Sequence, residues 1–173
     1  MISKRAFLTW WLGGLAIFAI SLVIHSALAI EAVPGGILDH QAAPDAASVI
    51  AIQSAWEDAG LANRARIAMA SDLVFIVVYS IGAIMGGRYY RNLFEGALHV
   101  FGWSAIFAGV VFFLTDFIET LLQFYQMMRL QGSDTLAWIA SSMGPAKVVS
   151  FLVSVGLLIV ALVWERLLRG PSE

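Results

Sequence analysis

Residues 148–164 read VVSFLVSVGLLIVALVW, seventeen positions without a charge. A surface helix of a soluble protein keeps one polar face, and this stretch has none. Its length approaches the ~20 residues that carry a helix across a ~30 Å hydrocarbon core. The same reading applies at three more places, so the predicted spans lie near residues 6–29, 67–87, 97–125 and 146–167, with a long loop over 30–66. The chain of 173 residues is 60% hydrophobic and 13% charged, with a mean hydropathy of +0.84, which no soluble class matches. The expected fold is all-α: one polytopic domain, 1–173, forming a four-transmembrane-helix bundle with a short amphipathic helix in the first loop.

Orientation follows from basic residues near the helix ends. Lys4, Arg5, Arg88, Arg91, Arg166 and Arg169 fall on one side, and Arg64, Arg66 and Arg129 on the other. The positive-inside rule places both termini in the cytoplasm and the loop 30–66 outside. Trp10, Trp11, Tyr89, Tyr90, Trp138 and Trp164 fall where an aromatic belt is expected. Lys4-Arg5 before an apolar run, with Ala27-Leu28-Ala29 after it, resembles a signal peptide. The apolar core from Ala6 to Ile24 is longer than such signals carry, so it reads as a retained helix.

Composition also removes classes of chemistry. There is no cysteine, hence no disulfide framework and no thiolate ligand or nucleophile. A net charge of −2 without a basic run gives no nucleic-acid surface. Phosphate loops, His-Glu-x-x-His, Gly-x-Ser-x-Gly and histidine boxes are missing.

In the loop, Pro34-Gly35-Gly36 marks a turn, Pro44 and Asp45 a helix start, and Gly60 a stop. Val49, Ile52 and Trp56 recur at helical spacing, while Gln53, Glu57 and Asp58 fall mostly on other faces. That helix either caps the bundle or is a solvated linker. Gly82 with Gly86, and Ala105 with Gly109, are small residues four apart that allow close packing within the chain. Leu93 to Met128 would span about 50 Å unless Gly96 or Gly102 breaks it.

The ionisable residues inside the spans carry the functional reading. A charge at mid-bilayer costs roughly 2.5–3.5 kcal/mol on insertion scales, so such groups face a bundle interior. His25, Asp72, Asp116, Glu119 and Lys147 all fall in the predicted outer third, and nothing comparable is expected in the inner half. Asp116, Glu119 and Gln123 share one face, as do Asp72, Phe75, Ile76 and Tyr79. Ser21 with His25, and Lys147 with Ser150 and Ser154, form further polar stripes. Phe75, Phe112 and Phe113 offer apolar walls. Three carboxylates against one ammonium leave negative charge for a proton or a cation to match. Metal binding is disfavoured: the di-iron bundle pattern needs Glu-x-x-His, whereas here Asp116-x-x-Glu119 has no adjacent histidine. His40 and His99 lie elsewhere. No metal and no cofactor are expected.

Asp72-x-x-Phe75-x-x-x-Tyr79, Asp116-x-x-Glu119 and Ala146-Lys147 together resemble a group of small, uncharacterised bacterial four-helix membrane proteins. The resemblance covers helices two to four; Thr120 stands where that group often has Asn. It implies the architecture, a bacterial cytoplasmic (inner) membrane setting and the importance of these positions, but no activity. From the residues, three readings stay open. One is an outward pocket of Asp72, Asp116, Glu119, Lys147, Tyr79 and His25 that binds or moves a small polar or cationic ligand or a lipid head group. The others are an intramembrane acid/base enzyme on a lipid-like substrate, and a structural subunit whose ion network orders the helices. Expected partners are membrane lipids and a small ligand, with a homo-oligomer or a larger membrane complex left open.

Overall fold

The computed structural model describes residues 2–169, without the side chain of Arg169. The described residues form six helices and no strand: α1 (Lys4–Ser26), α2 (Ile37–Ala42), α3 (Ala46–Asp58), α4 (Ala62–Leu93), α5 (Ala97–Arg129) and α6 (Asp134–Arg169). Of these, α1, α4, α5 and α6 are long and apolar enough to cross a membrane. The protein is an all-α, multi-pass four-helix bundle.

The distribution of side chains is inverted relative to a soluble protein. Val23, Phe107 and Leu152 are 73%, 73% and 62% exposed, whereas Glu119, Ser154 and Glu165 are completely buried. In water that arrangement would forfeit apolar burial and desolvate charge; in hydrocarbon both preferences reverse. Only part of the expected aromatic belt faces outward. Trp10, Trp138 and Trp164 do, while Trp11, Tyr89 and Tyr90 are core residues.

Three helices overrun a ~30 Å core: α4, α5 and α6 have 32, 33 and 36 residues, about 48–54 Å at 1.5 Å per residue. The largest difference from expectation is the start of the last helix, at Asp134 rather than near residue 146. Asp134 favours the positive helix N-terminus. Pro145 stays inside the helix, depriving the Ser141 carbonyl of its usual donor. Ser141 and Ser142 turn their hydroxyls onto the carbonyls of Trp138 and Ile139. Lys147 is therefore the fourteenth residue of α6, not a residue at its mouth. Gly102 does not interrupt α5; Gly96, at φ +63°, ends the connection before it.

The long helices contribute to two compact units. One comprises the chain up to Gly14, Val77–Phe113 and the chain from Ala146 onward. Its helices approach closely at glycines. A Cβ on Gly82 would collide with the backbone of Trp11, and one on Gly87 would lie 2.6 Å from the carbonyl oxygen of Gly102. Close packing at Gly82 thus serves α1 against α4 within the chain, while Gly86 makes room for Leu158 of α6 and for Phe7 of α1. Phe7, Tyr89 and Tyr90 fill the space beside it, with ring centroids 5.3 and 6.0 Å from Phe7.

The other unit comprises Leu15–Ile76 and Leu114–Pro145, and so carries the long loop. Here Leu28, Val33, Ile37, Trp56, Ala65, Ala68, Met69 and Met127 form one apolar cluster, with Ile24 and Phe124 packed against it. The Trp56 indole donates to the Leu28 carbonyl at 3.0 Å. Asp45 caps α3 by accepting from Ser48 N at 2.8 Å, and Gly60 follows its end at φ +70°. A second cluster of Ala43, Val49 and Ala137 ties α3 to α6, and Ala46 N donates to Asp134 at 2.8 Å. The loop is a packed cap rather than a solvated linker. Gln53, expected on another face, is 2% exposed and belongs to the packed side.

Candidate functional site

Four of the six anticipated site residues lie in the loop-bearing unit. On the α1–α4 seam His25 meets Asp72, with Nε2 3.1 Å from Oδ2. The distance suits an ion pair with a protonated imidazole, but the nitrogen is not aligned as a hydrogen-bond donor. One turn along, the Ser21 and Ser71 hydroxyls are 3.0 Å apart. Ser71 donates to the Ala68 carbonyl at 2.7 Å, so Ser21 is the donor between them. Next comes Phe18 on Phe75, ring centroids 4.9 Å apart. Along α1 the contacts run ring, hydroxyl, charge; on α4 Ser71 and Asp72 are sequence neighbours, so like meets like in three contacts of one seam.

The α5 face is more polar than anticipated. Asp116, Glu119, Thr120, Gln123 and Gln126 are all buried. Thr120 donates toward Asp116 at 3.5 Å. Gln123 donates to the Gln41 carbonyl at 3.2 Å, and Gln126 accepts from Ser133 N at 2.9 Å. The stripe of Asp116, Glu119 and Gln123 is thus a buried face, extended by Thr120 and Gln126. The i, i+4 relation of Thr120 to Asp116 is the sequence signal that marks Thr120.

Tyr79 and Lys147 belong to the first unit. Tyr79 is fully buried between Phe112 and Phe151, ring centroids 5.2 and 4.9 Å away. Ser154 donates to the Phe151 carbonyl at 3.0 Å, so the Tyr79 hydroxyl donates to Ser154. Ser150 and Ser154 are buried and Lys147 is half-buried, as one stripe requires, yet both serines bond carbonyls of their own helix.

The first unit also holds a polar cluster that sequence reasoning did not anticipate. Glu165 is fully buried, accepting from Lys4 Nζ at 2.7 Å and from the hydroxyls of Tyr89 and Tyr90 at 3.0 Å each. The expectation that nothing comparable lies beyond His25, Asp72, Asp116, Glu119 and Lys147 is therefore corrected. Glu165 stands among Trp164, Arg166 and Arg169, which reads as a solvated helix end. Its partner Lys4 is 161 residues away, too far for any local spacing to show.

Within the cap, His40 is 1% exposed; its Nε2 lies 3.2 Å from Gln53 Nε2 and its ring 5.4 Å from the Trp56 ring. Burial pulls its pKa down to about 4. The Ser48 backbone N–H and hydroxyl hold the Asp45 carboxyl below the usual range. Among the described residues, no three His, Asp or Glu side chains gather closely enough to hold a metal ion. Comparison of the chain with family models, curated proteins and solved structures gives no match.

Proposed function

We propose that the protein binds a small organic cation, either a soluble amine or the amine of a lipid head group, through Asp72, Asp116 and Glu119. In this reading the loop-bearing unit faces outward from a bacterial inner membrane, with both termini cytoplasmic. The observation that carries it is the withdrawal of these three carboxylates from lipid into one unit, at 7%, 6% and 0% exposure.

Register supports a common depth. Ala65, Ala68 and Met69 of α4 share a cluster with Met127 of α5, with Phe124 packed against it. One turn onward along α4 comes Asp72; counting back along the antiparallel α5 gives Thr120, Glu119 and Asp116. Carboxylates desolvated at one level favour a proton or a cation. The ligand in this reading is a cation with spread charge, since among the described residues no three acidic or histidine side chains gather closely enough for a metal ion. Phe18 and Phe75, adjacent to Asp72 along the seam, offer ring faces of the kind that attract such a cation. His25 pairs with Asp72 when protonated and so competes with the ligand.

The test uses the protein in lipid nanodiscs, with choline and ethanolamine as soluble probes and phosphatidylethanolamine as the lipid probe. Thermal stabilisation of the wild type, lost in a folded Asp116→Asn/Glu119→Gln variant, supports the reading. A response to lipid alone identifies the head group as the source. No response of the wild type to any of the three sinks it. A second reading, a structural subunit, is favoured by the matched rungs of the α1–α4 seam, which fix register without a ligand. It predicts that Asp72→Asn lowers stability and that no probe binds.

A further inference from the structure

The cap contains one buried titratable group that the ligand reading does not use. His40 sits on α2, the short helix between the end of α1 and α3, with its ring against Trp56 and its Nε2 facing the Gln53 amide. Its Nδ1 and the Gln53 carbonyl oxygen are both buried without a hydrogen-bond partner. Turning the Gln53 amide over exchanges which atom is short of a partner and satisfies neither side fully. A neutral imidazole tolerates this arrangement, since it needs one acceptor and one donor. An imidazolium needs two acceptors, and the surroundings offer at most the one oxygen of Gln53.

We propose that residues 37–58 form an acid-operated latch, in which proton uptake by His40 releases α2 and α3 from the helices they cover. The groups facing His40 carry no compensating charge. From α3 these are Gln53 and Trp56; the Trp56 ring gives some cation–π attraction but no hydrogen-bond acceptor. From α5, contact with α2 runs through Gln123 to the Gln41 carbonyl, and the α5 acids Glu119 and Asp116 lie one and two turns further along. On its own segment, the Asp39 carboxylate accepts from Gly35 N at 2.7 Å. Asp45 is engaged by Ser48 N and Asp134 by Ala46 N, while Glu57 and Asp58 are exposed. No charged group contributes to the His40 shift, which comes from burial alone.

The sign follows from that shift. A histidine whose pKa is lowered in the closed state, from 6.5 to about 4, stabilises closure fully above pH 6.5 and loses that contribution as pH falls toward 4. With one proton linked to opening, the open fraction of the cap rises about 30-fold between pH 7.5 and pH 5.0. Asp45 does not confuse this window. Its depressed carboxyl keeps the α3 cap in place above the ordinary carboxylate pKa of 3.8 and gives way only below it.

The experiment is hydrogen–deuterium exchange of the full chain in nanodiscs at pH 7.5 and 5.0, corrected for intrinsic exchange. The expected result is about a 30-fold loss of protection in peptides covering 37–58, absent in His40→Phe/Gln53→Leu, which keeps a ring and removes both orphaned polar groups. A wild-type loss below threefold, or an equal loss in the double variant, overturns the latch. A wild-type measurement stands beside it should that variant fold poorly. Protection of the same wild-type peptides, followed from pH 7.5 to 4, should fall chiefly between pH 6.5 and 4; protection that does not change with pH refutes the proposal. The latch does not rest on cation binding: it is read without any ligand, and it fails or survives independently of the choline and lipid titrations.

Discussion

Replacing Glu165 by leucine should be among the most damaging single changes in the first unit, and the damage should be reversible by removing more polar groups. Glu165 is fully buried and accepts from Lys4 and from the hydroxyls of Tyr89 and Tyr90. Hydrogen bonds to a charged group are worth about 1.5–3 kcal/mol each, so loss of the two tyrosine bonds alone costs about 3–6 kcal/mol. Lys4 adds little to that sum. Its side chain is 38% exposed, so its ammonium can return to water, and such partly exposed pairs are worth about 0–1 kcal/mol. Lys4→Met should therefore cost less than Glu165→Leu, with Glu165→Gln between them because an amide oxygen still accepts from one tyrosine. The decisive variant is Glu165→Leu/Tyr89→Phe/Tyr90→Phe. An apolar replacement of all buried partners can be near neutral, because the desolvation of the carboxylate is also avoided. Unfolding from detergent micelles, followed by far-ultraviolet circular dichroism, measures all four. A Glu165→Leu protein within about 0.5 kcal/mol of wild type, or a triple variant weaker than the single one, would refute the reasoning.

Three further outcomes are expected. Gly82→Leu drives a side chain into the backbone of Trp11 and should cost about 3 kcal/mol or more; Gly13→Ala, whose Cβ meets nothing within 4 Å, should be neutral or stabilising by up to about 1 kcal/mol in the same melt. Trp56→Phe removes the donor to the Leu28 carbonyl and should lower the protection of the cap against hydrogen exchange by about 1–3 kcal/mol. Asp45→Ala should raise exchange in the first turn of α3, and the wild type should approach the variant only as pH falls below 3.8, because its depressed carboxyl must first be protonated.

What was readable in the sequence was what depends on period and composition. The four spans, the start and stop of α3 at Asp45 and Gly60, and the shared face of Asp116, Glu119 and Gln123 follow from local spacing. The early start of α6 does not, because Ser141, Ser142, Gly144 and Pro145 are all unfavourable in a helix interior. Burial of Ala137 and Ala140 and the contact of Asp134 with Ala46 outweigh that local preference. Helix α2 is not legible for a related reason: six residues cannot sustain a helix alone, and this one is held by the burial of Ile37 and His40. Gln53 reads with the polar face by its residue type, whereas its position faces inward and its partner His40 lies on a different element. At the α1–α4 seam the individual residues were legible, but the pairing of Ser21 with Ser71 is a property of two helices and of neither alone.

The Lys4–Glu165 contact joins the first helix of the chain to the last. During synthesis Lys4 enters the membrane long before its partner exists. At 5–20 residues per second the 161-residue interval takes roughly 8–32 s. For that time the basic side chain of Lys4 turns to water or lipid phosphate, although Phe7 meets Tyr89 and Tyr90 about halfway through the interval. The order of translation makes α6 the closing piece: a ribosome that stalls before residue 165 leaves α1 able to pack on α4, but with Lys4 and the Tyr89 and Tyr90 hydroxyls lacking their carboxylate partner.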